Sequence, residues 1–536
     1  INKSKEISEM FDRNIRIGIL SSFTVNGLKE ILQVKSAERN ISCIVYEAPY
    51  NQYSQEILNQ DSTIYKFSPE ITFLIIDTRN IFGEIFRFPY SITSSDRQKF
   101  VEKKINEIKN LIDKFVDKTN SKLIITKLNI PSFSPNGIFE SKIEYGFHNM
   151  IEDFNHKLTK NYLNSENVYV YDFEKFIAKN GEDNVFDYNQ FFFGDLKISM
   201  KFLPALGQDL MKYVIAYLGI TKKCIVLDLD NTLWGGIVGE DGYNGIKLGP
   251  EPPGNVFMEF QRVLLSLHQR GIILAINSKN NFQDAINVIK EHPYMVLKEE
   301  HFASMRINWK DKVTNMKELV QEINIGYDSL VFIDDDPVNR EFVKSIFPEI
   351  LVVDLSNDPS TFASTIENII DFSVLKITDE DRNRGKMYLK QKEISELQES
   401  TPDLQTFLSQ LDLKIIIKDV NEFTLPRVLQ LILKTNQFNL TTKRYQELDI
   451  KKMIQDPNFI VGCVQVEDKF GDNGITGVFI IKKENEKEWL IDTFLMSCRI
   501  MGRDIEKGIM IYIVNIAKEN KIEKIKADFF PTQKNR

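Results

Sequence analysis

Residues 224–236 read Cys-Ile-Val-Leu-Asp-Leu-Asp-Asn-Thr-Leu-Trp-Gly-Gly, a run of buried-strand residues that ends in two carboxylates, Asp228 and Asp230. Thr232 follows at the same spacing, and Gly235-Gly236 lets the backbone turn sharply. Strand alternation puts both carboxylates on one side, about 6–7 Å apart along an extended chain. Like charges this close are costly unless a cation or a phosphoryl group lies between them. An acidic turn after a buried strand would account for one aspartate, not for the whole pattern.

Three further features fall where such a site needs them. Ser278 ends a predicted strand, Ile272–Asn277, and offers its hydroxyl and nearby backbone N–H groups to phosphate oxygens. Lys310 and Lys312 precede a predicted helix in Trp309-Lys310-Asp311-Lys312. Phe332-Ile333-Asp334-Asp335-Asp336 closes another strand with a second acidic cluster. Parallel strands present their C-terminal ends on one edge, so the four elements are expected to meet there.

The elements that position these groups belong to a chain of alternating strands and helices. Ile15–Leu20, Ile71–Asp77, Lys122–Lys127 and Val168–Asp172 read as buried strands, with a long amphipathic helix over Gln98–Thr119. A second α/β unit starts at Lys222, with strands Cys224–Asp228, Ile272–Asn277, Phe302–Met305 and Ser329–Asp334. Its helices are expected over Val256–Gln269, Phe282–Lys290 and Lys312–Glu322. Thr378-Asp-Glu-Asp381 is a capping-box start for a charged helical stretch to about Ser409. From Leu413 the texture changes. Strands are predicted at Leu413–Val420, Phe459–Glu467, Gly474–Lys482, Glu488–Met496 and Ile525–Phe529, with helices over Phe423–Thr435 and Asp504–Glu519. That order predicts an α+β fold with a mostly antiparallel sheet. The fold class is therefore multidomain α/β, divided into 1–220, 221–370, a helical linker 371–412, and 413–536.

A chain of 536 residues exceeds one core and suggests about three domains. Its 42% hydrophobic and 27% charged residues describe an ordinary soluble globular protein, and the net charge of −8 argues against nucleic-acid or anionic-membrane partners. Four cysteines (Cys43, Cys224, Cys463, Cys498) lie far apart, which fits a reducing compartment and no Cys-rich zinc site. No stretch approaches the ~18–20 apolar residues that span a bilayer, and no signal peptide opens the chain. The expectation is a soluble, cytoplasmic protein. Its first residue is Ile1 rather than Met, which suits a segment excised from something longer.

Taken together, residues 221–370 resemble the haloacid-dehalogenase superfamily of aspartyl-phosphate phosphohydrolases. The resemblance implies that Asp228 is the nucleophile and Asp230 the general acid and then base. It implies Mg²⁺ held by the Asp228 carboxylate, the Asp230 backbone carbonyl and Asp334, with Asp335 the close alternative. Thr232 and Ser278 would contact phosphate, and a lysine would neutralise it. Lys312 is preferred for its Lys-x-x-Asn spacing to Asn315; Lys310 is the alternative.

Asp228 to Gly236, Val238-Gly-Glu-Asp-Gly242, Ile307-Asn-Trp-Lys-Asp-Lys312, Thr435-Asn-Gln-Phe-Asn-Leu-Thr-Thr442, Asp468-Lys-Phe-Gly-Asp-Asn-Gly474 and Phe494 to Arg503 narrow the resemblance to the FkbH-like family. One departure is Asn339, where that family usually carries an acidic residue; it is expected to lie outside the phosphoryl site. Members take 1,3-bisphosphoglycerate and load a D-glyceryl unit onto the phosphopantetheine thiol of an acyl carrier protein, with loss of the 3-phosphate. Some relatives deliver D-lactyl units. These enzymes serve polyketide-type assembly lines. The alternatives are a plain phosphatase whose C-terminal domain only binds the carrier, and a coenzyme-A-dependent N-acyltransferase fused to a phosphatase-like domain.

The C-terminal segment resembles the GNAT acyltransferase fold, whose strand–loop–helix junction binds pyrophosphate and pantetheine. Arg499, Gly502 and Arg503 occupy that junction, with Asp504 where a small residue is usual. Cys498, beside two arginines near a helix start, is a candidate to carry the glyceryl thioester; a small buried hydrophobe at a strand end is the other reading. Asn436, Asp468, Lys469, Asp472 and Asn473 are candidate substrate contacts, or simply turn residues. Ile17-Gly-Ile-Leu-Ser21-Ser22 resembles the opening of SGNH hydrolases, yet Gly194-Asp-Leu-Lys197 lacks the histidine that family needs. A non-catalytic N-terminal domain is therefore expected.

Overall fold

The structure is a computed structural model, and it describes residues 11–531 except 12, 383–393, 395–396, 398–400, 402, 436–437 and 498–499. The chain divides into two compact units, Ile1–Val214 and Ile215–Arg536.

In the first unit, β1 (Arg13–Ser21), β2 (Ile41–Glu47), β3 (Ile71–Ile75), β4 (Lys122–Thr126) and β5 (Val168–Tyr171) form one sheet. Its order is β2-β1-β3-β4-β5 and every neighbouring pair is parallel. Intervening helices return the chain each time. The longest, Ser94–Lys118, buries Val101, Ile105, Ile108, Ile112 and Phe115 on a single face. Strand β2 has no counterpart among the sequence-predicted strands. It lies at the sheet edge, where Ile44 is exposed, and so lacks the continuous apolar run of a central strand.

The second unit holds two sheets. The first comprises β6 (Cys224–Leu227), β7 (Ile273–Ser278), β8 (Phe302–Ile307), β9 (Leu330–Ile333) and the short β10 (Leu351–Val352). They run in order β10-β9-β6-β7-β8, all parallel. Strand β6 is buried on both faces, which explains its uninterrupted apolar run. Ile225 and Leu227 pack with Phe257 and Phe260 on one side. Cys224 and Val226 pack with Val313 and Met316 on the other.

The remaining sheet is the predicted antiparallel one: β11 (Lys414–Asp419), β12 (Phe438–Asn439), β13 (Phe459–Asp468), β14 (Gly471–Lys483) and β15 (Glu488–Met496), with β16 (Lys524–Ala527) parallel to β15. Helices Leu425–Lys434 and Glu447–Gln455 cover one face and Ile505–Glu519 the other. Between the sheets the capping box is formed: Asp381 N–H donates to Thr378 Oγ1 at 3.2 Å and Thr378 N–H to Asp381 Oδ2 at 3.1 Å. Asp379–Arg382 and Leu404–Leu411 are helical; most of the predicted charged helix between them lies outside the described residues. No helix of the described residues is long and apolar enough to cross a membrane.

Candidate active site

Strands β6 and β9 are neighbours in register, Leu227 opposite Ile333, and both end there. The Asp228 N–H donates to the Ile333 carbonyl at 2.9 Å, so Asp228 and Asp334 leave adjacent strand ends side by side. Because β6 has later strands on both flanks, this is the switch point of the sheet, where open parallel sheets bind ligands. One carboxylate oxygen from each of Asp228, Asp334 and Asp335 lies within 4.8 Å of the others, and among the described residues this is the group placed to hold a metal ion.

Lys312 enters from the start of the helix Lys312–Ile323, which Asp311 caps by accepting the Thr314 N–H at 2.8 Å. Its buried Nζ lies 2.7 Å from Asp228 Oδ1 and 2.9 Å from Asp334 Oδ2, and donates to the Asn277 carbonyl at 2.7 Å. The two carboxylate contacts are ion pairs at distances suited to hydrogen bonding but without its alignment, so both oxygens remain buried without a hydrogen-bond partner. Buried carboxylate oxygens from Asp228, Asp334 and Asp335 converging on one point, with a single ammonium among them, are the donor set a hard divalent cation takes. The residues present therefore fit Mg²⁺.

The local field supports this. Burial first, then the Asp228 charge, raises the Asp334 carboxyl above its usual range, against the pull of Lys312. Burial and the same two aspartates push Asp335 up to about 6. Burial alone would lower Lys312; Asp228 and Asp334 outweigh it and hold the ammonium above its ordinary value. A second cation would relieve the remaining repulsion.

Asp230 stands next to this centre with its carboxylate fully engaged. Oδ1 accepts from the Trp234 indole at 2.8 Å and the Val238 N–H at 3.1 Å, and Oδ2 from Asn280 Nδ2 at 2.8 Å. Burial raises its pKa despite these donors, with Asp228 adding to the effect. The turn that follows needs its glycine: Gly236 has φ +91°, and a Cβ there would lie 2.3 Å from Asp241 Oδ2. Thr232 is buried with an unpartnered Oγ1, and Ser278 is buried at the end of β7.

Several partners were not singled out from sequence. Trp234 and Asn280 hold Asp230, and Asn280 carried no signal beyond standing two residues after Ser278. Arg340 braces the acidic turn, its Nη1 donating to the Asp334 carbonyl at 2.9 Å and the Asp335 carbonyl at 2.7 Å. Asn339 corrects an expectation. Far from lying outside the site, its Nδ2 reaches Asp334 Oδ1 at 3.4 Å, because the helix from Pro337 returns its first turn to the acidic cluster.

Other predicted residues are placed elsewhere. Lys310 is exposed and paired with Glu318 at 2.8 Å, so of the two lysines only Lys312 reaches the carboxylates. Arg503 is not displayed to a phosphate: it is buried and donates to Asp468 Oδ2 at 3.0 Å, an oxygen that also accepts from Asn473 Nδ2 at 2.9 Å. Asp472 closes the β13–β14 hairpin, accepting from the Gly474 N–H at 2.7 Å and from Gln465 Nε2 at 2.9 Å. Gly502 adopts a left-handed φ of 76° just before the helix Ile505–Glu519. Asn436, Cys498 and Arg499 lie outside the described residues.

Residues 16–215 match the family described as FkbH, N-terminal domain. Over that segment the chain is similar to FkbH proteins. It is also similar to the crystal structure of the N-terminal part of protein BF1531 from Bacteroides fragilis, which contains a phosphatase domain complexed with Mg. That likeness has 26% identity and a TM-score of 0.64, over 70% of this chain and 98% of that one. Two acetyltransferase structures overlap this chain only in part. Ribosomal-protein-alanine N-acetyltransferase from Brucella melitensis biovar Abortus 2308 has 12% identity and a TM-score of 0.18, over 23% of this chain and 83% of that one. Aminoglycoside acetyltransferase meta-AAC0020 from an uncultured soil metagenomic sample, in complex with trehalose, has 18% identity and a TM-score of 0.18, over 23% and 80%. No curated protein matches the chain. The chain is thus multidomain α/β, with parallel sheets consistent with a phosphatase Rossmann-like domain.

Proposed function

We propose that this FkbH-like chain loads a D-glyceryl unit from 1,3-bisphosphoglycerate onto the phosphopantetheine thiol of an acyl carrier protein, with loss of phosphate, for polyketide-type biosynthesis. The observation that carries the reading is the meeting of Asp228, Asp334, Asp335 and Lys312 at one sheet edge. That edge belongs to a chain similar along nearly the whole length of a Mg-bound phosphatase-domain structure. A D-lactyl donor would use the same groups.

In the phosphatase half, an Asp228 oxygen attacks phosphorus while the bond from phosphorus to the glyceryl oxygen breaks. Asp230 gives that oxygen its proton, for which a raised pKa and a buried, oriented carboxyl suit it. Water then attacks phosphorus, returns a proton to Asp230, and leaves Asp228 free with inorganic phosphate. Lys312, Ser278 and Thr232 bind and orient the phosphoryl oxygens. Mg²⁺, held by the Asp228 and Asp334 carboxylates and the Asp230 carbonyl, with Asp335 in reserve, supplies charge neutralisation when bound.

In the acyl half, residues 413–536 are read as a GNAT-like domain, supported by the β15–loop–helix junction before Ile505–Glu519. The Cys498 thiolate would displace the carboxyl phosphate of the donor and hold the acyl group as a thioester, which the carrier thiol then attacks. Residues 1–220 are read as an SGNH-like scaffold without catalysis. Supporting this, Ser22 Oγ is used by the Asp77 N–H at 2.8 Å, and buried Lys197 is ion-paired with Asp77 in the loop where an activating histidine would be needed. A cytoplasmic setting suits the donor and the free Cys43, Cys224 and Cys463.

One observation favours a second reading, in which the C-terminal domain binds the carrier without transferring: Arg503 is taken up by Asp468. Intact-protein mass spectrometry of a holo carrier, incubated with the chain, Mg²⁺ and a bisphosphoglycerate-generating system, decides. A gain of one glyceryl unit, lost in Cys498→Ser, is expected. Free phosphate without an acylated carrier would leave the second reading.

A further inference from the structure

In the first unit, three polar side chains from distant parts of the chain meet in the interior. Asp77 follows β3, Asn129 follows β4, and Lys197 comes from the segment after the short helix Tyr188–Gly194. Each is only 5% exposed. Lys197 Nζ is ion-paired with Asp77 Oδ1 and donates to Asn129 Oδ1 at 2.8 Å. It also lies 4.4 Å from the centre of the Phe186 ring and 6.0 Å from that of Phe23, both buried. An amine, a carboxylate and a carboxamide thus share one aromatic-walled interior site.

Each group is held where it stands. Ser22 Oγ accepts the Asp77 N–H at 2.8 Å, and Thr78 Oγ1 donates to the Asn129 backbone carbonyl at 2.6 Å. The Lys197 carbonyl accepts the Asp187 N–H at 3.0 Å, and Phe186 pairs with Ile198 across an antiparallel bridge. Arg79 Nε stands 3.9 Å from the other oxygen of Asp77, leaving Oδ1 to the lysine. Groups fixed this closely react with effective concentrations on the order of 10⁵ M or more.

The surroundings also favour reaction. Burying two opposite charges is costly, and one proton passed from Lys197 to Asp77 removes both and frees the nitrogen lone pair. The Asn129 carbonyl one bond away is polarised by two donors, Lys197 and Thr78 Oγ1, the latter at 3.3 Å. Asn129 Nδ2 donates no hydrogen bond among the described residues, so nothing there retains it as a leaving group.

We infer that Lys197 and Asn129 join in an isopeptide bond, with Asp77 as the proton carrier. Nζ attacks Cγ of Asn129, the bond from Cγ to Nδ2 breaks, and Nδ2 leaves as ammonia with the proton Asp77 first took from Lys197. Asp77 then takes the proton that Nζ sheds as the new amide forms, and passes it to solvent. No oxidant, metal or second substrate is consumed. The link closes residues 129–197 into a covalent loop and ties Lys197 to the end of β4, which restricts the unfolded chain as a disulfide does. The inference does not depend on the function proposed above.

The test is the mass of the purified full chain under denaturing conditions. It should fall one ammonia below the mass of the sequence, and a proteolytic digest should yield a branched peptide joining Lys197 to Asn129. Lys197→Met and Asn129→Ala should restore the full mass. Asp77→Ala should restore it too, although both bonding partners remain. The wild-type mass and the branched peptide decide whether the bond exists however these variants fold. The full sequence mass in the wild type, with Lys197 and Asn129 on separate peptides, overturns the inference. Loss of water instead, with the branch on Asp77, overturns Asn129 as the electrophile, and a link that persists in Asp77→Ala overturns the proton carrier.

Discussion

Lys312 Nζ sits between two carboxylates that the chain places far apart, 2.7 Å from Asp228 and 2.9 Å from Asp334. One buried ammonium against two buried carboxylates leaves a net negative charge, and Asp335 adds a third acid to it. The site is built to gain a cation.

Removing the ammonium exposes this imbalance. Lys312→Met leaves two uncompensated buried carboxylates and is expected to cost about 3–5 kcal/mol of stability. Phosphatase turnover should fall on the order of 10²–10³-fold. Millimolar Mg²⁺ should recover part of the stability, read as a rise in the thermal midpoint larger than the wild type shows.

The acidic cluster gives the metal-free chain a defined pH response. Asp335 is raised from its ordinary 3.8 to about 6, so the unfolded chain releases this proton at lower pH than the folded one. Stability without metal should therefore fall as pH rises across that window, and Asp335→Asn should flatten the slope. Mg²⁺ affinity should rise over the same window, since the ion takes the deprotonated carboxylates. Chemical denaturation with and without Mg²⁺ at a series of pH values checks both signs.

Asn339 donates toward Asp334 Oδ1 at 3.4 Å. Asn339→Asp replaces that donor with a like charge, so the metal-free chain should lose about 1–3 kcal/mol. Mg²⁺ binding should tighten. Isothermal titration of metal into both forms measures the difference.

The Arg503–Asp468 pair is buried at 3.0 Å. Arg503→Met should cost about 3–5 kcal/mol, and the Asp468→Asn/Arg503→Met double variant should recover part of it. By contrast, the exposed Lys310–Glu318 pair predicts that Lys310→Ala shifts stability by no more than about 1 kcal/mol. Phosphatase turnover in that variant should be unchanged. Urea unfolding of the three variants separates a structural arginine from a spare surface lysine.

Much of the acidic centre was legible from local spacing. The apolar run into Asp228, the acidic end of β9 and the Lys-x-x-Asn helix start each follow from short-range pattern, and each was found where predicted. Edge strand β2 was not, because half of its surface lacks a partner and its pattern is correspondingly weak. The cage around Asp230 was invisible for another reason. Trp234 reads as a core aromatic and Asn280 as a turn residue until the loops after β6 and β7 are brought together.

By itself the sequence determined which residues could do chemistry and which strand end would carry each, because periodicity and capping act over a few residues of chain. Tertiary structure decided who meets whom. Sheet order β10-β9-β6-β7-β8 seats β9 rather than β8 beside β6, which sets Asp334 against Asp228 and lets Lys312 reach both. The same long-range packing buries Arg503 on Asp468 and turns Asn339 back onto Asp334. Contacts of this kind depend on the layering of whole elements, for which no local spacing carries a signal.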